Sequence, residues 1–232
     1  NEATIRVLTH NGYDVALPRN QRCCGALHVH AGDRETGKEL AKQNIEAFKD
    51  YDKILVNAAG CGAMLKEYDE LFRNDPEMLP IAEEFVKKVE DVSKFLYDNG
   101  FKRPKAEIKT RVTYHDACHL AHGQGVRFEP RQLLKEIPGV ELVELPNADR
   151  CCGSAGIYNI THPDMAGRLL KRKIDDIPED VEMISMGNPG CMLQIAMGVK
   201  KYGSSEKVVH TVQLLDWAYE KEKKEAKKLV KA

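Results

Sequence analysis

The stretch "DRCCGSAGIYN", residues 149–159, places two cysteines side by side in front of a glycine, and "QRCCGALHVHAG", residues 21–32, does so earlier in the chain. The CC-Gly pair recurs after 128 residues, and the lone cysteines Cys61 and Cys191 lie 130 residues apart. Since two independent landmarks give nearly the same spacing, the sequence predicts a duplicated unit of about 130 residues.

Strand-like runs precede the cysteines in both halves. Each lone cysteine follows a short apolar run and a turn of small residues, in "KILVNAAGC" (53–61) and "VEMISMGNPGC" (181–191). Each CC-Gly pair follows a run that a proline stops, "YDVALP" (13–18) and "VELVELP" (140–146). The cysteines are therefore predicted to lie where strands end.

Helix-like segments follow the CC-Gly pairs, in "GKELAKQNIEAFKDY" (37–51) and "PDMAGRLLKRKIDDI" (163–177). Strands that alternate with helices predict an α/β fold with parallel sheets covered by helices. We expect two pseudo-symmetric tandem domains, each a small, mostly parallel sheet flanked by helices. The linker at 97–111 divides a first domain, residues 1–104, from a second, residues 105–232, which ends in a charged helix.

The charge and hydropathy of the chain argue against two classes of protein, those that bind nucleic acid and those that span a membrane. The chain has 35 basic and 36 acidic residues, a formal net charge of -1, and no basic block with interleaved aromatic residues. We therefore expect no nucleic-acid partner. No run approaches the roughly 18 apolar residues of a membrane span, so we expect no integral membrane segment and a cytoplasmic location.

The seven cysteines indicate a metal centre. An odd number in a chain predicted to be cytoplasmic is a poor disulfide framework. Mononuclear zinc usually takes cysteines two to four residues apart, whereas adjacent residues are only about 3.8 Å apart at Cα and their side chains diverge. That geometry suits an iron–sulfur cluster, because its several irons can each take a separate thiolate.

The second half offers one cysteine more than the first, Cys118 in "YHDACHLAHG" (114–123). Subtracting the repeat places its counterpart about ten residues before Asn1. We therefore predict that the first unit is truncated at its N-terminus and that the chain is a piece of a longer protein.

Longer motifs carry a family resemblance. They are "CCGALHVHAG", "NAAGCGAMLKEY", "YHDACHLAHGQGVR", "ELPNADRCCGSAGIYNITHPDMA" and "GNPGCMLQ". They resemble the cysteine-rich CCG domains shared by the iron–sulfur subunit of glycolate oxidase, the lactate-utilisation iron–sulfur protein, the C subunit of anaerobic glycerol-3-phosphate dehydrogenase and the B subunit of heterodisulfide reductase. Within this group the motifs resemble those of the glycolate oxidase subunit in particular, and the likeness runs from Asn1 to about Trp217.

The resemblance implies an electron-transfer subunit of an oxidase that acts on glycolate or another 2-hydroxy acid. In the family, an FAD-containing subunit takes hydride from the acid, and the iron–sulfur subunit passes the electrons towards a quinone. The resemblance also implies an amino-terminal ferredoxin-like domain outside this chain, and it allows a peripheral position on the inner face of the membrane.

Carried over by position, the resemblance assigns one [4Fe-4S] cluster to Cys118, Cys151, Cys152 and Cys191. It assigns a second, incomplete site, for a cluster, zinc or no metal, to Cys23, Cys24 and Cys61. The fuller family motif ends in C-x-x-C, which serves disulfide chemistry in heterodisulfide reductase. This chain has Met64 and Gln194 at those positions, which favours an ordinary cubane and electron relay.

Four histidines lie beside these motifs. His115 and His119 flank Cys118, and either hydrogen bonding to cluster sulfur or capping and packing would explain them. His28 and His30 follow the first CC-Gly pair, where either could supply a replacement ligand and His28 could hydrogen-bond to the metal group. Three alternatives for the whole chain stay open: a heterodisulfide-reductase-like subunit acting on disulfides, a lactate-utilisation iron–sulfur protein, and a zinc-stabilised binding module without a redox role.

Overall fold

The structure is a computed structural model that describes residues 1–229, where helices and strands alternate as the sequence predicts. In chain order the elements are α1 (Glu2–His10), α2 (Ala26–His30), α3 (Arg34–Phe48), β1 (Ile54–Val56), α4 (Ala59–Lys66), α5 (Tyr68–Leu71), α6 (Leu79–Lys88), β2 (Val89–Asp91), α7 (Val92–Asp98), β3 (Thr110–Tyr114), α8 (Cys118–Ala121), α9 (Phe128–Lys135), β4 (Val140–Glu144), α10 (Tyr158–Thr161), α11 (Pro163–Asp175), β5 (Met183–Met186), α12 (Pro189–Tyr202), β6 (Lys207–His210) and α13 (Thr211–Leu229). The predicted charged C-terminal helix is observed to Leu229, and residues 230–232 lie outside the described part.

The strands form two parallel sheets. In the second half the order is β4-β3-β5-β6, and β3 pairs with β4 from Thr110 opposite Val140 to Tyr114 opposite Glu144. In the first half β1 pairs with β2 alone, also in parallel. Helices connect the parallel strands, as they must when each strand runs in the same direction. The predicted α/β fold class is confirmed.

The duplication is visible in the order of elements. In the first half β1, α4, β2 and α7 follow one another, with α5 and α6 inserted before β2. In the second half β5, α12, β6 and α13 follow in the same order without an insertion. Each lone cysteine lies in the first turn of the helix after the first strand of this unit, in α4 or in α12.

The prediction of a strand at residues 13–18 is wrong, because this segment has no regular secondary structure. Its counterpart in the second half, β4, pairs only with β3. Residues 1–229 contain no strand of the first half that is equivalent to β3. The segment therefore has no neighbour to pair with, although Tyr13 and Val15 still pack against the core.

One hydrophobic core joins the two halves. Val7 of α1 and Leu96 of α7 are fully buried in the same cluster as Val112 of β3 and Leu215 of α13. Arg6 of α1 also makes a bidentate ion pair with Asp216 of α13, with its Nη2 2.6 Å from Oδ2. The predicted boundary between residues 104 and 105 stays a prediction, and elements from both sides of it share this core.

Candidate metal centre

The four cysteines of the second half meet at one edge of the larger sheet. Cys118 follows β3, Cys151 and Cys152 lie in the loop after β4, and Cys191 is in the first turn of α12 after β5. Parallel strands bring their carboxyl ends to the same edge, so these loops converge. The thiol of Cys118 lies against that of Cys151, and the thiol of Cys152 lies against that of Cys191.

These thiols change one another's protonation. Contact with the Cys118 thiol holds the pKa of Cys151 far below its usual range, and the same contact raises the pKa of Cys118. Contact with the Cys152 thiol lowers the pKa of Cys191 to about 4, while neighbouring thiols raise that of Cys152. The shifts have opposite signs within each contact, because adjacent thiolates repel one another unless a cation lies between them.

His115 completes the group. It is 1% exposed, and neither of its ring nitrogens makes a hydrogen bond within residues 1–229. A ring nitrogen and the sulfurs of Cys152 and Cys191 all lie within 4.8 Å of one another. A buried polar atom without a partner is costly, and a polar or metallic group among these sulfurs would satisfy it. The donor set therefore fits a thiolate-ligated metal group.

The CC-Gly loop is shaped by its glycine. Gly153 has a φ of +95°, and its N–H donates to Cys151 Sγ at 3.3 Å. A Cβ at this position would lie 2.6 Å from the carbonyl oxygen of Ala166 in α11, so no larger residue fits without a shift of the backbone. Gly25, at the same place in the first half, has a φ of +83°.

Charged side chains with little exposure hold the loops around the second site in place. Arg131 of α9 makes two hydrogen bonds of 2.8 Å to the carboxylate of Asp116, two residues before Cys118. Lys173 of α11 is 1% exposed and donates to the carbonyl oxygens of Asn147 and Ala148, ahead of the CC-Gly pair. Burial lowers the pKa of Lys173.

The first half brings together fewer thiols. Contact with the thiol of Cys24 lowers the pKa of Cys61 to about 7, and contact with Cys61 raises the pKa of Cys24. Cys23 is exposed. Buried Asn44 of α3 donates to the carbonyl oxygen of Cys23 at 3.0 Å, and the hydroxyl of Tyr68 donates to that of Cys24 at 3.0 Å.

The predicted histidines lie in different surroundings. His119 Nδ1 is 3.5 Å from Cys118 Sγ, and the His119 ring stacks on His30 with centroids 5.8 Å apart. His28 Nδ1 instead lies 3.3 Å from the carboxylate of Asp33. A role of these side chains toward a metal stays a prediction.

Neither residue at the end of the fuller motif is free to act on a substrate. Met64 is 3% exposed and packs in the core of the first half. Gln194 is buried, and its Oε1 accepts a hydrogen bond from Asn159 Nδ2 at 3.3 Å.

Sequence reasoning missed the polar residues that hold the cysteine loops. Asn44 stands among buried Gly37, Ala41 and Ile45 on one face of α3. Lys173 stands 129 residues later on the buried face of α11. A polar residue that interrupts an apolar helical stripe at the same place in both repeats was the available signal.

Comparison with known proteins gives the family. The profile of the CCG family, described as "Cysteine-rich domain", matches residues 1–66 and 112–196. The chain belongs to this family of cysteine-rich CCG domain proteins, as the resemblance predicted.

Individual relatives agree with this assignment. The "Probable glycolate oxidase iron-sulfur subunit" of Bacillus subtilis (strain 168) is 46% identical over 93% of this chain and 50% of the relative. The B subunit of the "Fumarate reductase (CoM/CoB)" of Methanothermobacter marburgensis is 36% identical over 94% of this chain and 42% of its own length. The "Lactate utilization protein A" of Oceanobacillus iheyensis is 33% identical over 92% and 88%. The chain thus spans about half the length of the first two relatives.

Among the helices of residues 1–229, none combines the length and the apolar character that crossing a bilayer requires.

Proposed function

We propose that this chain is the CCG part of an iron–sulfur electron-transfer subunit in a complex that oxidises glycolate or a related 2-hydroxy acid. The observation that carries the proposal is the convergence of Cys118, Cys151, Cys152 and Cys191 at one sheet edge, with the buried ring of His115 beside Cys152 and Cys191. The similarity to the glycolate oxidase subunit of B. subtilis supports the choice of complex.

The four thiols of the second half would hold a [4Fe-4S] cluster, which when bound accepts and releases single electrons. The chain supplies the rest of the site. The N–H of Gly153 and the buried ammonium of Lys173 both favour negative charge near the CC-Gly loop. Cys23, Cys24 and Cys61 would hold a second metal group, either a cluster or zinc.

We place the hydroxy-acid chemistry on an FAD-containing partner subunit, as the family resemblance implies, because the side chains that meet at the candidate site suit a metal centre. A ferredoxin-like domain and a quinone-type acceptor complete the proposed electron path. We propose a cytoplasmic location, either free or peripheral on the inner face of the membrane.

Anaerobic reconstitution with iron and sulfide tests the proposal. We expect stoichiometric iron and acid-labile sulfide, and an electron paramagnetic resonance signal after reduction. His122→Asn serves as a control for handling, since His122 is an exposed histidine near the same loop. A silent spectrum without stoichiometric iron would rule out the electron-transfer role, and zinc as the sole bound metal would instead support a binding module.

The resemblance of the cysteine motifs to heterodisulfide reductase gives a second candidate, a subunit that acts on disulfides, and the similarity to the fumarate reductase (CoM/CoB) subunit of M. marburgensis is compatible with a reductase. The burial of Met64 and Gln194 at the positions of the missing cysteines counts against it. Turnover of a small disulfide by the reconstituted chain with a reductant would reverse this ranking.

A further inference from the structure

The turns that lead into α4 and α12 meet where the two halves of the molecule touch. The N–H of Ala59 donates to the carbonyl oxygen of Gly187 at 2.9 Å. The rings of His30 and His119, one from each half, also stack on each other. The two cysteine sites therefore approach each other through the segments just before Cys61 and Cys191.

The side chain of Asn188 connects these two turns. Its Oδ1 accepts a hydrogen bond from the N–H of Gly60, next to Cys61, at 3.2 Å. Its Nδ2 donates to Cys191 Sγ, also at 3.2 Å. The two partners fix the orientation of the amide, because an N–H group needs an acceptor and a thiolate needs a donor.

The equivalent residue of the first half is Ala58. Its backbone has φ -139° and ψ 102°, close to the φ -144° and ψ 117° of Asn188, and each residue lies three positions before its cysteine. An asparagine at this position usually caps its own helix, but Asn188 makes no side-chain cap bond to α12. Its amide serves Cys191 and Gly60 instead, and Ala58 has no group that could do the same.

We propose that Asn188 is a positioning residue that raises the reduction potential of the second-site cluster and ties that site to the first. The proposal rests on the proposed function of the thiols. An N–H donated to a ligating sulfur stabilises the more negative, reduced state, so its loss lowers the potential. Because the other end of the amide binds Gly60, a change in the turn before Cys61 moves the donor at Cys191.

Two substitutions separate the two bonds. Asn188→Asp keeps an acceptor for Gly60 and loses the N–H donor to sulfur, whereas Asn188→Ala loses both. Asn159→Asp is the matched control, since Asn159 lies near the same site and bonds Gln194 rather than sulfur. The reconstituted proteins are compared by redox titration of the second-site resonance signal and by hydrogen exchange at the Gly60 amide.

We expect a more negative midpoint potential in both Asn188 variants and an unchanged one in Asn159→Asp. Gly60 should exchange faster in Asn188→Ala and stay protected in Asn188→Asp. A loaded Asn188→Asp protein with the wild-type potential would overturn the tuning, and wild-type exchange of Gly60 in Asn188→Ala would overturn the link. A wild type that binds no iron would refute the proposed function and the tuning with it, while the exchange result would still report on the link.

Discussion

The two cysteine sites lie at equivalent positions of the repeated fold, and the residues that anchor their loops differ in charge. Asn44 anchors the first CC-Gly loop through a neutral amide, and Lys173, its counterpart in the repeat, anchors the second through a buried ammonium. The second site adds the N–H of Asn188 at Cys191, where the first has Ala58. Positive charge and N–H donors favour an anionic group, so the second site is the better adapted to hold one.

The largest expected effect comes from removing one thiol of either site. Cys152→Ser should abolish metal binding at the second site, because Cys152 contacts both Cys151 and Cys191. Cys24→Ser should leave the second site loaded. Iron content and the resonance signal of the reduced protein measure the difference.

The opposite result in these two variants would contradict the conclusion that the second site is the better adapted to hold an anionic metal group. A Cys24→Ser protein without the second-site signal, beside a loaded Cys152→Ser protein, would show that the first site is the dominant one.

The glycines of the two CC-Gly loops give the next largest effect. Gly153→Ala forces a left-handed φ on alanine and places its Cβ 2.6 Å from a backbone oxygen, whereas at Gly25 the nearest atom would be 3.4 Å away. In both Gly153→Ala and Gly25→Ala we expect the left-handed conformation to lower the free energy of unfolding by about 1–2 kcal/mol. Overpacking at Gly153 adds a further loss of about 1–3 kcal/mol. Urea unfolding of the metal-free proteins measures the free energy of unfolding of both variants. Equal losses at Gly153 and Gly25 would contradict the tighter packing around Gly153.

Two buried titratable groups occupy matching places in the repeat. Asp91 ends β2 and accepts from Ser93 N–H at 2.8 Å, and His210 ends β6 and accepts from Val212 N–H at 3.2 Å. Burial raises the pKa of Asp91 to about 6 and lowers the pKa of His210 to about 4. Both groups are therefore neutral near pH 5, and charging either one costs stability.

The two groups predict opposite pH dependence. Between pH 4 and 6 folded Asp91 keeps a proton that the unfolded chain, with a pKa of 3.8, has lost, so stability falls as pH rises. Between pH 6.5 and 4 folded His210 stays neutral while the unfolded residue is protonated, so stability falls as pH falls. Each contribution amounts to about 3 kcal/mol over its window.

Replacing either group with asparagine uncovers the contribution of the other. Asp91→Asn should leave a protein that loses stability on acidification from pH 6.5 to 4, and His210→Asn one that loses stability from pH 4 to 6. Thermal unfolding across this range measures both, and the double variant is the control with the flattest profile. If the stability of both single variants changed with pH in the same direction, the result would contradict opposite pKa shifts at Asp91 and His210.

Periodicity and the repeat predicted much of the fold. The runs that became β1, β4 and β5 are short, β-branched and bounded by turn residues, and α11 shows apolar residues at helical spacing. The run at 13–18 has the same local character and forms no strand, since strand formation also depends on a paired neighbour. Local sequence cannot report that neighbour.

The candidate site was predictable in its thiols and not in the groups around them. Six of the seven cysteines, all but Cys118, are marked by the duplication, which is a property of the sequence alone. Asn188 reaches Gly60 over 128 residues of chain, and Lys173 reaches Asn147 over 26. Such contacts exist only once the tertiary structure has formed, so no local pattern specifies their partners.

The smallest effect is expected where the first loop depends on neutral hydrogen bonds. The hydroxyl of Tyr68 donates to the carbonyl oxygen of Cys24 and accepts from Asn44 Nδ2, both at 3.0 Å. Tyr68→Phe leaves these buried groups one partner short, so we expect a loss of about 1–2 kcal/mol in the free energy of unfolding. Tyr51→Phe in the same half is the control. The second-site resonance signal should be unchanged in both, and its loss in Tyr68→Phe would mean that the two sites depend on each other more strongly than their separate anchors imply.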